Sequence, residues 1–372
     1  MTNILFCVCG LGLGHVTRSL SIIKYYVNNK NNKIFIYSEK NVLEFLKNEF
    51  PNYKNIILIE NKNPYPDLER GKNNLEQTYY MIIDGLNMPK IIKKENKIIQ
   101  KIIQQNKIDT IISDGIYGAY SEQTPCFLIT HQLEFQISGF RKIFGKISDP
   151  YNLSIFKKYT KILVLDYKDE KISIAGKLAT SKYRKNKKFV YVGILSQYHK
   201  IKIKKDIDYL VIISGYLKKH KQEFYNKLLN VLKKKPGKKV FIMGDYINDY
   251  HKQLPGNIEI YSSFKNLDKN KIYNRAKIIV SRTGYSTLMD LVELNKDGIL
   301  IPTPNCSEQV YLGKYHLNKG YFNIILNQKN INETTFKHNF HNTYLIKNTN
   351  LPKTKDSIKL ITQTIEKYGK KQ

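Results

Sequence analysis

The chain runs through one pattern twice. Short apolar runs alternate with stretches whose apolar residues recur at helical spacing, and the series restarts near the middle. The first pass has strand patterns at Asn3–Cys9, Lys33–Tyr37, Asn55–Ile59, Asp109–Ser113, Pro125–Thr130, Lys161–Asp166 and Phe189–Leu195. Between them lie helical patterns such as His15–Val27 and Val42–Asn48. Ile91–Ile108 carries isoleucines at 91, 92, 98, 99, 102 and 103, the stripe of an amphipathic helix. A polar, basic stretch, Ser196–Lys205, breaks the series. The second pass follows, with strands at Tyr209–Ser214, Lys239–Gly244, Ile258–Ser262, Ala276–Ser281 and Ile299–Pro302, and helices at Tyr285–Leu294 and Glu308–Lys319. Alternation of this kind implies parallel sheets with crossover helices. The expected class is α/β: two doubly wound Rossmann-like domains facing each other across a cleft. The expected boundaries are 1–196, a linker at 197–207, 208–350, and a terminal helix at 351–372 that packs back on the first domain.

A length of 372 residues suits two domains, each with its own core. The formal charge of +31 invites a nucleic-acid reading, but the excess is lysine, with only six arginines in the chain. Base and phosphate readers favour the arginine fork. The charge therefore reads as compositional, and no specific nucleic-acid partner is expected. Cys7, Cys9 and Cys126 sit in apolar runs, and no C-x-x-C pair occurs, so reduced thiols are expected in place of disulfides or zinc ligands. The chain opens directly on a strand pattern, and no apolar run is long enough to span a bilayer. A cytoplasmic location follows, with membrane contact from the side left open.

Cys9–Ser19 reads C-G-L-G-L-G-H-V-T-R-S, with Gly10, Gly12 and Gly14 between a strand and a helix. Such a loop lets a ligand approach the backbone and the free N–H groups of the helix start. A dinucleotide fingerprint needs a third glycine where His15 stands, although Glu39 follows the second strand as a ribose-binding acid would. His15, at the strand-to-helix turn, suits a general base on a hydroxyl, or a packing role. Asp114 ends another strand. It suits the partner that orients His15, or a turn aspartate before Gly115. His131 and Gln132 follow the next strand and are placed on the same rim.

The second constellation is Ser281–Gln309, SRTGYSTLMDLVELNKDGILIPTPNCSEQ. A strand leads into Ser281, Arg282 and Gly284, then into a helix with Ser286 and Thr287 in its first turn. Free N–H groups and hydroxyls there suit a diphosphate. Asp290, three residues past Thr287, is placed to accept from ribose hydroxyls. Glu308 and Gln309 open the next helix and suit sugar hydroxyls. Asp206-Ile207-Asp208 has the spacing of a metal-binding D-x-D string. It precedes a strand, so it reads as solvated linker, and no metal is expected.

The Ser281–Gln309 segment resembles the donor-binding region of glycosyltransferase family 28, which includes MurG-like enzymes. Gly12–Arg18 resembles the N-terminal loop of the same superfamily. The resemblance implies a GT-B fold, an acceptor-binding N-terminal domain and a nucleotide-sugar-binding C-terminal domain. It implies that Asp290 binds the ribose of a uridine nucleotide, and that Glu308 and Gln309 contact the donor sugar. Gly284, Ser286 and Thr287 face phosphate in this scheme, and Phe264 lies where backbone groups read uracil. His15 becomes the acceptor base with Asp114 as its partner, while Gly12, Gly14, Arg18, His131 and Gln132 form an acceptor or phosphate loop. Ser214 and Gly215 fall in a further donor loop, here S-G-Y-L-K-K, without the arginine or extra glycines frequent in the family. Asp290 also replaces the more usual glutamate.

The activity implied is inverting transfer of a hexose or N-acetylhexosamine from a UDP-sugar to a hydroxyl acceptor, a lipid-linked one included, without a separate cofactor. Arg141–Lys161 mixes lysines with Phe and Tyr as a membrane-surface loop does, and also as any basic loop does. Two other classes stay open: a UDP-sugar epimerase of the same fold, and a non-catalytic nucleotide-sugar-binding protein.

Overall fold

The computed structural model describes residues 2–12, 14–29, 31–63, 65–66, 74–134, 153–179, 181–213, 220–245, 248–265, 267–336 and 350–369. Its contacts divide the chain into two units. The first comprises Met1–Glu170, Lys177–Leu195 and Pro352–Gln372; the second comprises Lys171–Gly176 and Ser196–Leu351.

The first unit is built on β1 (Thr2–Val8), β2 (Asn32–Ser38), β3 (Ile56–Glu60), β4 (Thr110–Asp114), β5 (Cys126–Thr130), β6 (Lys161–Val164) and β7 (Phe189–Tyr191). Its helices are α1 (Gly14–Val27), α2 (Lys40–Glu49) and α3 (Asn74–Asn106). The strands form one seven-stranded sheet in the order β3-β2-β1-β4-β5-β6-β7, and every pairing is parallel. β1 is buried and apolar from Ile4 to Val8 and β4 is buried along its length, as strands covered on both faces are. The strand order reverses between β1 and β4, where Val8 pairs with Asp114. Ligand sites of doubly wound sheets open at such a switch point.

Two elements differ from the sequence reading. α3 begins at Asn74 and carries Pro89 inside it, whereas the isoleucine stripe marked the helix only from Ile91 onward. β7 stops at Tyr191 because Gly193 turns left-handed, with φ +87°. A Cβ at Gly193 would lie 2.8 Å from Ser357 Oγ on the terminal helix, α8 (Thr354–Tyr368). α8 groups with the first unit, where Tyr167 Oη donates to Pro352 O at 2.9 Å.

The second unit contains β8 (Ile207–Ile212), α4 (Lys221–Leu232), β9 (Lys239–Ile242), β10 (His251–Leu254), β11 (Ile258–Tyr261), α5 (Lys269–Arg275), β12 (Ala276–Arg282), α6 (Tyr285–Leu294), β13 (Asp297–Ile301), α7 (Ser307–Lys319) and β14 (Asn323–Ile324). The sheet order is β10-β11-β9-β8-β12-β13-β14. Only β10 runs antiparallel to its neighbour. It is polar throughout, so apolar patterning did not mark it. One face of this sheet packs on α4 through Val211, Phe224, Leu228, Leu232, Phe241 and Val280. The switch point lies between β8 and β12, where Ser281 Oγ donates to Ile212 O at 3.3 Å.

The segment Lys171–Gly176 lies between β6 and β7 in the chain yet belongs to the second unit. Three side chains of α7 and the residues just after it hold its carbonyls. Tyr315 Oη donates to Ser173 O at 2.9 Å, His316 Nε2 donates to Ile174 O at 2.9 Å, and Tyr321 Oη donates to Lys171 O. Burial pushes His316 down to about 4, so it stays a neutral donor. Asp206 is exposed ahead of β8, whereas Asp208 lies within β8 and is half-buried. Asp206 takes a bidentate pair from Arg275, and Asp208 pairs with Lys277 and accepts from Lys238 N.

Candidate functional site

Two constellations stand at the two switch points. In the first unit, β1 ends at Val8 and the chain turns through Gly10–Gly12 into α1. Gly12 has φ +77°, a conformation that favours glycine. A Cβ at Gly10 would overlap Glu39 Oε2 at 1.3 Å. Glu39 is therefore folded against the glycine loop, where burial pushes its carboxyl up to about 7 against the opposing hydrogen bond from Gly10. It is not displayed as a ribose acid would be.

Asp114 is 1 % exposed and collects donors from α1. His15 Nδ1 donates to Oδ1 at 2.7 Å, Arg18 Nε to Oδ2 at 2.8 Å, and Ser19 Oγ to Oδ2 at 2.7 Å. Arg18 Nη2 donates to Oδ1 as well. Burial pushes the Asp114 carboxyl up, but the charges of Arg18 and then His15 overcome it and hold it well below the usual carboxylate range. His15 keeps 26 % of its side chain exposed, while Arg18 keeps 4 %. Arg18 Nη1 lies 3.0 Å from His131 Nδ1. Gln132 is half-buried and bends the chain by donating its N–H to Thr130 Oγ1 at 3.0 Å. Gly14 opens α1, and Thr17 Oγ1 donates to its carbonyl at 3.2 Å.

The loop after Asp114 is fixed by side chains. Gly115 has φ +80°, and a Cβ there would lie 2.8 Å from His15 Cε1 and 2.9 Å from Cys9 Cβ. Glu95 Oε2 on α3 accepts from Gly118 N and Tyr65 Oη, both at 2.8 Å, and Tyr65 Oη accepts from Tyr117 N at 2.9 Å. Burial pushes Glu95 up to about 7. Ser19, Gly115 and Glu95 were missed in the sequence. The only signal was the glycine after Asp114, which reads equally as a turn.

In the second unit, Gly284 precedes α6 and no side chain caps that helix. Its φ is −73°, and a Cβ there would meet only Thr287 Oγ1 at 3.8 Å. Ser286 and Thr287 are half-buried in the first turn. Asp290 Oδ1 accepts from Ser196 Oγ at 2.6 Å, and Ser196 Oγ accepts from Tyr198 N at 3.0 Å. Burial pushes the Asp290 carboxyl up to about 8, with the Ser196 bond opposing. Ser196, taken as the start of a linker, is thus part of this site. Arg282 is turned inward. It donates to Pro302 O at 3.2 Å, His220 O at 3.3 Å and Gln328 Oε1 at 2.7 Å, with its guanidinium 3.6 Å from the Phe224 ring centroid. Burial brings it down to about 10. It braces the loop from behind.

Glu308 and Gln309 open α7, whose start at Cys306 is also uncapped by side chains. Gln309 Oε1 accepts from Thr303 N at 2.8 Å, and Thr283 Oγ1 donates to Gln309 O at 2.9 Å, which joins the two loops. Phe264 is buried against Tyr273, which stacks on Tyr198 with centroids 4.1 Å apart. Ser214, Gly215 and the part of Arg141–Lys161 before 153 lie outside the described residues. Among the described residues, no three His, Cys, Asp or Glu side chains group to hold a metal, and no helix is long and apolar enough to cross a membrane.

Residues 209–368 match the model of the glycosyltransferase family 28 C-terminal domain. Over 185 residues the chain is 27 % identical to the UDP-N-acetylglucosamine–N-acetylmuramyl-(pentapeptide) pyrophosphoryl-undecaprenol N-acetylglucosamine transferase of Prochlorococcus marinus strain MIT 9301. That match covers 47 % of this chain and 50 % of the relative. Acinetobacter baumannii MurG superposes with a TM-score of 0.58 at 14 % identity, covering 98 % of this chain and 100 % of that one. CalG4, the calicheamicin glycosyltransferase, superposes with a TM-score of 0.62 at 12 % identity, covering 99 % and 98 %. These structural likenesses establish the two-domain GT-B fold.

Proposed function

We propose that this MurG-like GT-B chain, whose second half carries a glycosyltransferase family 28 C-terminal domain, transfers a hexose or N-acetylhexosamine from a UDP-sugar to a hydroxyl acceptor, with inversion at the anomeric carbon. One observation carries the reading. Gly284, Ser286 and Thr287 stand at the uncapped start of α6, with Asp290 a turn further along the helix, inside the segment that matches family 28. Free N–H groups at that start suit the diphosphate, and Asp290 suits the ribose hydroxyls. Glu308 and Gln309 take the sugar, and the backbone beside Phe264 takes the base.

At the acceptor, His15 Nδ1–H is held by Asp114, which leaves Nε2 as the basic nitrogen. The acceptor hydroxyl gives its proton to Nε2 as its oxygen bonds to the anomeric carbon and the bond to UDP breaks. The charge that gathers on the leaving phosphate is met by the N–H groups at Gly284–Thr287. Arg282 braces this loop and supplies a set-back positive charge. The scheme invokes no separate cofactor. The acceptor class is a hydroxyl compound. The relative's undecaprenol substrate makes a lipid-linked acceptor, met at the cytoplasmic face of a membrane, the first to assay.

The test is a thermal-shift panel of UDP, UDP-sugars, GDP and NAD on wild type and Asp290→Ala. A ligand at 100 times its Kd adds about 2.7 kcal/mol of stability. UDP species are expected to stabilise the wild type. Loss of the Asp290 contact is expected to weaken UDP by roughly five- to a hundredfold, the scale of leaving a buried polar group unsatisfied. Stabilisation by NAD alone would overturn the reading. Conversion of one UDP-sugar into another, without an acceptor and without net UDP release, would favour an epimerase.

A further inference from the structure

Asp114 serves two claimants. His15 and Arg18 both reach Oδ1, and Arg18 Nε and Ser19 Oγ fill Oδ2. Arg18 Nη2 also lies 2.9 Å from His15 Nδ1. Both atoms donate to the same carboxylate oxygen, so this is a crowding of donors, not a bond between them. A guanidinium has no acceptor. His131 Nδ1, 3.0 Å from Arg18 Nη1, must therefore present its lone pair, which places that ring's proton on Nε2. The Arg18 guanidinium and the Asp114 carboxylate, both buried, form an ion pair inside this group. A proton arriving on His15 meets a carboxylate whose charge Arg18 already balances.

We propose that Arg18 is a positioning residue that shares Asp114 with His15, keeping the carboxylate ionised while His15 is neutral and making His15 a short-lived proton carrier, and that it does not contact an acceptor phosphate. The inference rests on the reading of His15 as the base. It assigns Arg18 a role its place in the glycine loop does not suggest. The guanidinium is 4 % exposed and bonds Asp114 and His131, both groups of the first unit. An acceptor phosphate would have to displace one of them.

The other groups around His15 are few. Arg18 and Ser19 come from α1, Asp114 from β4, and Cys9 from the end of β1. The Cys9 thiol is pushed up to about 12 by burial and stays neutral. His131 acts through Arg18. Glu39 and Glu95 are the next carboxyls, and their charges reach Cys9. Removing the Arg18 charge thus leaves Asp114 to His15, which then holds its proton more tightly.

The experiment follows the His15 imidazole by NMR as pH is varied, in histidine-labelled wild type, Arg18→Met and Arg18→Lys. It needs no turnover. The His15 midpoint is expected to rise by about one to two pH units in Arg18→Met, the size of a freed carboxylate partner, and to stay near wild type in Arg18→Lys. The acid limb of kcat/KM in a UDP-sugar assay is expected to move with it, at unchanged donor KM. If Arg18→Met does not fold, Arg18→Gln keeps donors without charge and is expected to show the same rise. An unmoved midpoint in a folded, uncharged variant overturns the proposal. So does a raised acceptor KM with the pH profile intact, which would make Arg18 an acceptor contact. A shifted midpoint in a chain without transferase activity would sink the functional reading and leave this one standing.

Discussion

Gly115 in the first unit and Gly284 in the second both follow the end of a central strand, but they are glycines for opposite reasons. Gly115 is demanded by the protein: its φ is +80°, and a Cβ would strike the His15 ring and Cys9. Among the described residues, nothing demands Gly284. Its φ is ordinary, and a Cβ there would touch only Thr287 Oγ1 at 3.8 Å. The surroundings divide the same way. Around Asp114 both carboxylate oxygens are filled by protein donors and the charge is balanced inside the unit. Around Gly284 the helix start is uncapped, and Asp290 carries a burial cost that one serine hydroxyl only partly offsets. Machinery that must keep its geometry through a reaction is built in advance. A site completed by its ligand leaves groups open for it.

The largest expected effect breaks the first half of that contrast. His15→Ala is expected to cut turnover by about 10²–10⁴-fold, the range for loss of a general base. UDP-dependent stabilisation should persist, because the donor groups lie in the other unit. Steady-state kinetics beside a thermal-shift titration decide it. Turnover that survives removes His15 from the role. Loss of UDP binding would mean that the two sites are not separable.

The second prediction concerns what the prebuilt site costs. Glu95 is 3 % exposed, and its carboxyl is pushed up to about 7 from an ordinary value of 4.5. The unfolded chain therefore loses this proton before the folded one does. The folded state binds more protons between pH 4.5 and 7, so its stability falls as pH rises through that window. A shift of that size corresponds to about 3 kcal/mol. Glu95→Gln keeps an acceptor for Gly118 and Tyr65 and has no proton to lose. The stability of the variant relative to wild type is expected to climb from pH 5 to pH 8 by up to about 3 kcal/mol in urea melts. A flat difference would mean that Glu95 is ionised at little cost and that the loop after Asp114 is not held as described.

The same contrast explains what could be read from the sequence. The strands and the two-unit plan were legible because buried parallel strands are continuous apolar runs, and Asn3–Cys9 and Ala276–Ser281 needed no context to be recognised. The first half of α3 was hidden by Pro89, and β10 by its polar residues. In the site, His15 and Asp114 could be picked out from their strand-end positions, and they meet in one hydrogen bond. The supporting residues could not. Ser196 lay in an apparent linker, Glu95 is 19 residues before Asp114, and Arg18 and Arg282 were both placed in ligand-facing loops. Which donor a buried guanidinium spends on which carbonyl or carboxylate depends on packing between elements distant in sequence. No spacing rule reports it.

The smallest effect is the sharpest test of the comparison, because it uses one atom group in two places. Gly115→Ala must either strain the left-handed turn or push the His15 ring away, and it is expected to cost about 1–3 kcal/mol of stability. Turnover should fall with it, since the displaced ring is the proposed base. Gly284→Ala is expected to shift stability by less than about 1 kcal/mol, because reduced unfolded-state entropy favours alanine while the N-cap position disfavours it. Its effect should appear only with ligand present, as a UDP affinity lowered by roughly ten- to a hundredfold, because the added methyl stands where a phosphate approaches the helix start. Paired melts with and without UDP separate the two variants. If Gly284→Ala melts like wild type and still binds UDP as tightly, the open space above α6 is not where the diphosphate sits. The donor site must then be sought at the other uncapped start, beside Glu308 and Gln309.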